Sequence, residues 1–127
     1  MIMYRGYFDG SAKPNPGIMT IGGLIKNPDS TVLHSYSEEL SHGTNNEAEY
    51  LSFLRLLNNI LERGIKQIQI YGDSILVVNQ VNGKWKAKDS RMKTYRNQAL
   101  KMLVHIPEWK LQHVKRELNK EADLLTR

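Results

Sequence analysis

Hydrophobic and polar residues follow strand-like patterns in the first third of the chain and helical spacing after it. Met3 to Asp9 carries Tyr and Phe and stops at Asp9-Gly10-Ser11, while Ile18 to Ile25 and Thr31 to Tyr36 are β-rich runs separated by the turn Asn27-Pro28-Asp29-Ser30. These predict three strands in an antiparallel meander. From Asn45 to Arg63 the apolar residues recur at helical spacing and Gly64 suits a helix C-terminus; Lys66 to Tyr71 then alternates Ile68 and Ile70 with Gln67 and Gln69. A helix starting at Ser74, another from about Ser90 to His105, a strand from Trp109 to Val114 and a last helix over Asn119 to Arg127 complete the pattern. The order β-β-β-α-β-α-α-β-α implies an α/β fold: a mixed sheet of five strands, the first three antiparallel, flanked by helices. Apart from the turn Lys13-Pro14-Asn15-Pro16-Gly17 there is no linker-like stretch and no repeat, so residues 1–127 read as a single domain.

Composition narrows the chemistry. The 127 residues include no cysteine, which removes disulfide frameworks, thiolate zinc sites and cysteine nucleophiles, and fits a reducing cytoplasm. No apolar run reaches the roughly 20 residues that cross a bilayer, and Met1-Ile2-Met3-Tyr4-Arg5 is not followed by a signal-like apolar stretch. A monomer that meets no membrane is the expected state. The net charge of +5 favours polyanionic partners without specifying one.

Acidic residues stand where a purely structural reading does not ask for them. Alone, Asp9 reads as a turn residue beside Gly10, Asp73 serves equally as a helix N-cap or as a ligand at the strand edge, and Asp123 reads as a solvated helix residue. The helix from Asn45 is more informative. At about 100° per residue, Tyr50, Phe53, Leu54, Leu56, Leu57, Ile60 and Leu61 share one arc with Glu49, whereas Glu47 falls beside Asn58 and Glu62. Glu49 is therefore expected to face inward and Glu47 outward. An inward carboxylate is costly without a partner, and several meeting in one place repel unless a cation lies between them. With neither cysteine nor a His-x-x-x-His pair, the oxygen-only donors suit Mg²⁺ or Mn²⁺ and not zinc.

Four motifs in order carry a resemblance. Tyr7-Phe8-Asp9-Gly10-Ser11 with Pro14-Asn15-Pro16-Gly17, then Thr44-Asn45-Asn46-Glu47-Ala48-Glu49-Tyr50, Tyr71-Gly72-Asp73-Ser74, and Asn119-Lys120-Glu121-Ala122-Asp123-Leu124 make the chain resemble type 1 ribonuclease H nearly end to end. The resemblance implies the ribonuclease H fold and carries that family's four catalytic, metal-binding carboxylates onto Asp9, Glu49, Asp73 and Asp123. It implies hydrolysis of the RNA strand of an RNA/DNA hybrid to 5′-phosphate and 3′-hydroxyl products by two Mg²⁺ ions, with Mn²⁺ as a substitute and Asp9 as the expected bridging ligand. Double-stranded RNA is a second candidate substrate. A module of the same fold that binds hybrid or double-stranded RNA with little catalysis is the alternative; loss of one carboxylate would favour it, and none is lost.

The same resemblance places Asn15, Thr44, Asn45 and Asn46 at positions that contact the two strands near the minor groove, where amides meet 2′-hydroxyls and base edges and a Thr hydroxyl meets a DNA phosphate. Asn45 or Asn46 would also serve as the helix cap. Trp85, Lys86 and Lys88, in the densest basic stretch of the chain, fall in the region that holds the DNA strand. Two departures are visible. Lys115-Arg116-Glu117-Leu118 leaves no room for the glycine-containing histidine loop of many members, so His113, Arg116 and Glu117 are the candidates for an assisting role. The segment between the helices from Ser74 and Ser90 is too short for a protruding basic handle. His34, His42 and His105 read as surface residues.

Overall fold

A computed structural model describes residues 3–127; Met1 and Ile2, the start of the stretch read for a signal, lie outside the described residues. Three long strands, β1 (Tyr4–Lys13), β2 (Gly17–Lys26) and β3 (Val32–Gly43), form the meander. Helix α1 (Asn45–Glu62) crosses to β4 (Gln67–Gly72), and α2 (Ile75–Val81) and α3 (Ser90–Leu103) lead to β5 (Glu108–His113). A 3₁₀ turn (Arg116–Leu118) precedes the short α4 (Lys120–Leu124). The sheet order is β3-β2-β1-β4-β5, with β4 parallel to both β1 and β5. The predicted element order and the mixed five-stranded sheet are present.

One face of the sheet carries the core. Phe8 of β1, Ile21 and Ile25 of β2, and Ile68 and Ile70 of β4 lie against Tyr50, Phe53, Leu56, Leu57 and Ile60 of α1, all at most 1% exposed. Each such side chain contributes about 1.5–3 kcal/mol on burial, so α1 is the element that the sheet holds most firmly. Alternate residues turn to the other face. There Gly22 lies against Ala122 and Leu125, a close approach that any side chain would block, and this docks the last helix on β2. Thr20 Oγ1 donates to the Thr126 carbonyl at 2.8 Å, and Ser37 Oγ donates to that of Leu125.

Several boundaries differ from the hydropathy pattern. β1 does not stop at Asp9-Gly10-Ser11 but continues to Lys13, because Ser11, Ala12 and Lys13 pair with Thr20, Met19 and Ile18. β3 runs seven residues beyond Tyr36, to Gly43. It is an edge strand whose polar side chains face solvent, so its extent is set by backbone pairing with β2 and leaves no apolar alternation to read. Thr44, not Asn45 or Asn46, is the N-cap of α1, and Ser74, not Asp73, caps α2 by accepting from Val77 N–H. No helix among the described residues is long and apolar enough to cross a membrane.

Candidate active site

The β1–β4 pairing ends at Phe8 opposite Gly72, so Asp9 on β1 and Asp73, just past the end of β4, occupy the next positions, at the carboxyl edge of β4 where ligands of α/β sheets gather. Glu49 reaches the same place from α1. Gly10 makes this approach feasible: a Cβ there would collide with the Ala48 carbonyl and the Glu49 amide, so a side chain would push the start of α1 off the strand. Because Ser74 caps α2, the Asp73 carboxylate is not spent on capping. One ligating oxygen each from Asp9, Glu49 and Asp73 lie within 4.8 Å of one another.

The electrostatics of the cluster are strained. Burial, then the Asp73 and Asp123 charges, push Asp9 up to about 7. Burial, followed by the Asp9 and Asp73 charges, raises Glu49 well above the usual carboxylate range. Glu49 Oε1 is buried without a hydrogen-bond partner. An all-carboxylate donor set with an orphaned buried oxygen fits a hard divalent cation, which would relieve the repulsion and satisfy that oxygen together.

Asp123 is not one of the three converging acids. It is buried on α4 and is held by Arg127 Nη2 at 2.9 Å and Arg116 Nη2 at 3.4 Å. Burial raises it, but the hydrogen bonds from Arg127, Asp9 and Arg116 prevail and hold it below the ordinary value. Its reading as a solvated residue is thus corrected by the packing of α4 on the sheet. Arg127, four residues on from Asp123, was missed in the sequence, although the i,i+4 spacing could have indicated it.

The cleft holding the acids is also lined by Ser11, Lys13, Asn45 and Arg116. Asn45 is shared with a second groove, lined by Asn15, Thr44, Asn46, Gln80, Lys86 and Lys88 among others. Asn45 Oδ1 accepts from Ala12 N–H at 2.7 Å and Asn15 Oδ1 accepts from Asn45 N–H at 3.0 Å, so both amide oxygens brace the turn and the NH₂ groups are left as donors. Trp85 is 45% exposed and outside the lining of this groove. Of the three assisting candidates, Arg116 alone lines the cleft of the acids; Glu117 is exposed on the surface beside Asp123, and His113 is exposed at the end of β5.

Glu47 departs furthest from expectation. The helical wheel turned it to solvent, yet it is 6% exposed, because α3 packs across the first turn of α1 and brings Arg91 and Tyr95 onto it.

A family model described as reverse transcriptase-like matches residues 7–127. The chain belongs to this family. Ribonuclease HI of Halobacterium salinarum is 32% identical over 121 residues, which covers 95% of this chain and 61% of that relative's length. The crystal structure of RNase H1 from the same archaeon superposes with a TM-score of 0.93 at 31% identity, covering 97% of this chain and 93% of that one. LC11-RNase H1, solved in complex with RNA/DNA hybrid, gives 0.90 at 31% identity, covering 96% and 92%. The fold is the ribonuclease H fold, and the likeness to type 1 ribonucleases H extends over nearly the whole chain.

Proposed function

We propose that this chain is a divalent-cation-dependent endoribonuclease that hydrolyses the RNA strand of RNA/DNA hybrids, leaving 5′-phosphate and 3′-hydroxyl ends. The observation that carries the reading is the convergence of Asp9, Glu49 and Asp73 in a cleft that shares Asn45 with a groove bordered by Lys86 and Lys88. Asp9, Glu49 and Asp73 would hold the cations, with Asp123 available once its arginines are drawn away. Bound there, two Mg²⁺ ions would supply stabilisation of the attacking and leaving oxygens of an in-line displacement, which needs no protein nucleophile.

The chain's own groups supply recognition. Lys86 and Lys88 attract the phosphates of the DNA strand, and the Asn15, Asn45 and Asn46 amides face the minor groove, where only RNA offers a 2′-hydroxyl. Thr44 keeps its hydroxyl on the α1 cap and still lines the groove. Arg116, at the mouth of the acidic cleft, places a permanent positive charge beside the phosphate to be cut. A relative solved with RNA/DNA hybrid supports the choice of duplex.

Matched RNA/DNA, RNA/RNA and DNA/DNA duplexes incubated with Mg²⁺, Mn²⁺ or chelator test the reading. Cleavage confined to RNA paired with DNA, lost with chelator, is expected. Activity that survives chelation would remove the cations from the mechanism, and tight hybrid binding without cleavage would favour a binding module.

A further inference from the structure

Glu47 is a buried carboxylate that the chemistry above does not use. Its backbone N–H donates to Thr44 Oγ1 at 3.2 Å, while its Oε1 accepts from Thr44 N–H at 3.3 Å and Thr44 Oγ1 at 3.4 Å, completing a capping box. The same Oε1 accepts from Arg91 Nη1 at 2.9 Å, and Oε2 accepts from the Tyr95 hydroxyl at 3.2 Å. One side chain therefore ties the first turn of α1 to the first turns of α3.

The starts of α1 and α3 both border the proposed nucleic-acid groove. Thr44, Asn45 and Asn46 form one wall, and Lys86 and Lys88, in the segment that leads into the α3 N-cap Asp89, form the other. Asp89 fixes the start of α3 by accepting from Arg91 N–H at 2.9 Å and Met92 N–H at 3.1 Å, so a tether on Arg91 constrains Lys88 three residues away. Arg91 is exposed apart from this contact, with its side chain 64% accessible against 8% for Glu47. An exposed arginine pinned by a buried carboxylate transmits position, because the carboxylate cannot move without leaving its charge unpaired in the interior.

We infer that Glu47 is a positioning residue for duplex binding, setting from beneath the groove the separation between the Thr44–Asn46 wall and the Lys86–Lys88 wall. The inference rests on the nuclease reading for the identity of the duplex, but it concerns binding and is separable from cleavage. A ligand spanning both walls depends on their spacing, and a single strand held by one wall does not.

Glu47→Gln keeps a capping-box residue at this position and removes the charge, and Arg91→Gln approaches the same contact from the surface. Binding of an RNA/DNA hybrid and of single-stranded DNA is measured by fluorescence anisotropy in chelator, with cleavage of the hybrid in Mg²⁺ measured in parallel. Each variant should weaken hybrid binding and raise KM by about five- to tenfold, leave kcat within about twofold, and change single-stranded DNA binding by less than about twofold. The double variant should lose no more than the worse single one. Equal losses on duplex and single strand, a fall in kcat at unchanged KM, or full additivity would overturn the assignment. If the wild type binds hybrid without cutting it, the nuclease reading fails and the binding comparison still judges Glu47; if it binds no hybrid, both fail.

Discussion

Removing a carboxylate from the acidic cleft should make the metal-free protein more stable, and Asp9→Asn is the sharpest case. Asp9 is 6% exposed, and its environment holds the carboxyl at about 7 against an ordinary 3.8. Because the folded value lies above the unfolded one, the folded state retains a proton that the unfolded state has released, and stability falls as pH rises from about 4 through 7. At 1.36 kcal/mol per pH unit, the full interval gives a ceiling of about 4 kcal/mol above pH 7. The cleft is open and the group shares its proton with its neighbours, so about 1–3 kcal/mol is the expected penalty. Asn cannot ionise and escapes it, and it also relieves Glu49, whose upward shift Asp9 helps to cause. For a domain of this size 1 kcal/mol moves Tm by about 4 °C, so Asp9→Asn should melt about 4–12 °C above wild type at pH 8.5 in chelator. At pH 4.5 the ceiling shrinks to about 1 kcal/mol and the gain should nearly vanish. Millimolar Mg²⁺ should raise Tm of the wild type and not of the variant. Thermal unfolding followed by circular dichroism at both pH values decides the matter. A variant no more stable than wild type at pH 8.5, or one equally stabilised at both pH values, would refute the electrostatic account of this cluster.

Asp73→Asn and Glu49→Gln should each lower cleavage of hybrid by at least about a thousandfold while leaving binding in chelator within about threefold, as seen by comparing turnover with anisotropy. Gly10→Ala should cost about 2–4 kcal/mol in chemical denaturation and should also depress cleavage, since the Cβ displaces the Ala48–Glu49 backbone that brings Glu49 to Asp9; normal activity would detach Glu49 from the site. Lys86→Glu with Lys88→Glu should weaken hybrid binding and reduce the slope of log K against log salt by about 2, and an unchanged slope would place the phosphates elsewhere.

Much of this was legible in the linear chain. Element order follows from hydrophobic period, which is a local property, and the inward direction of Glu49 follows from the same wheel that places Phe53 and Leu57 in the core. The absence of cysteine together with oxygen donors in the chain already points to hard cations.

What remained hidden depends on contacts between separate elements. β1 continues past Asp9 because β2 supplies partners nine residues or fewer away from Ser11, Ala12 and Lys13, and backbone pairing has no signature in side-chain alternation. Asp123 looked solvated because a short helix with a mixed sequence does not reveal which sheet face will receive it; Gly22 does, by leaving room for Leu125. Glu47 shows the limit most clearly. A helical wheel knows one direction, toward the sheet, and α3 covers a second flank of α1, 44 residues further along the chain at Arg91. Sequence alone thus determined which residues could ligate, cap or pack. Tertiary structure alone decided which of them meet, because burial of a charge is set by all the elements that close around it and not by the helix that bears it.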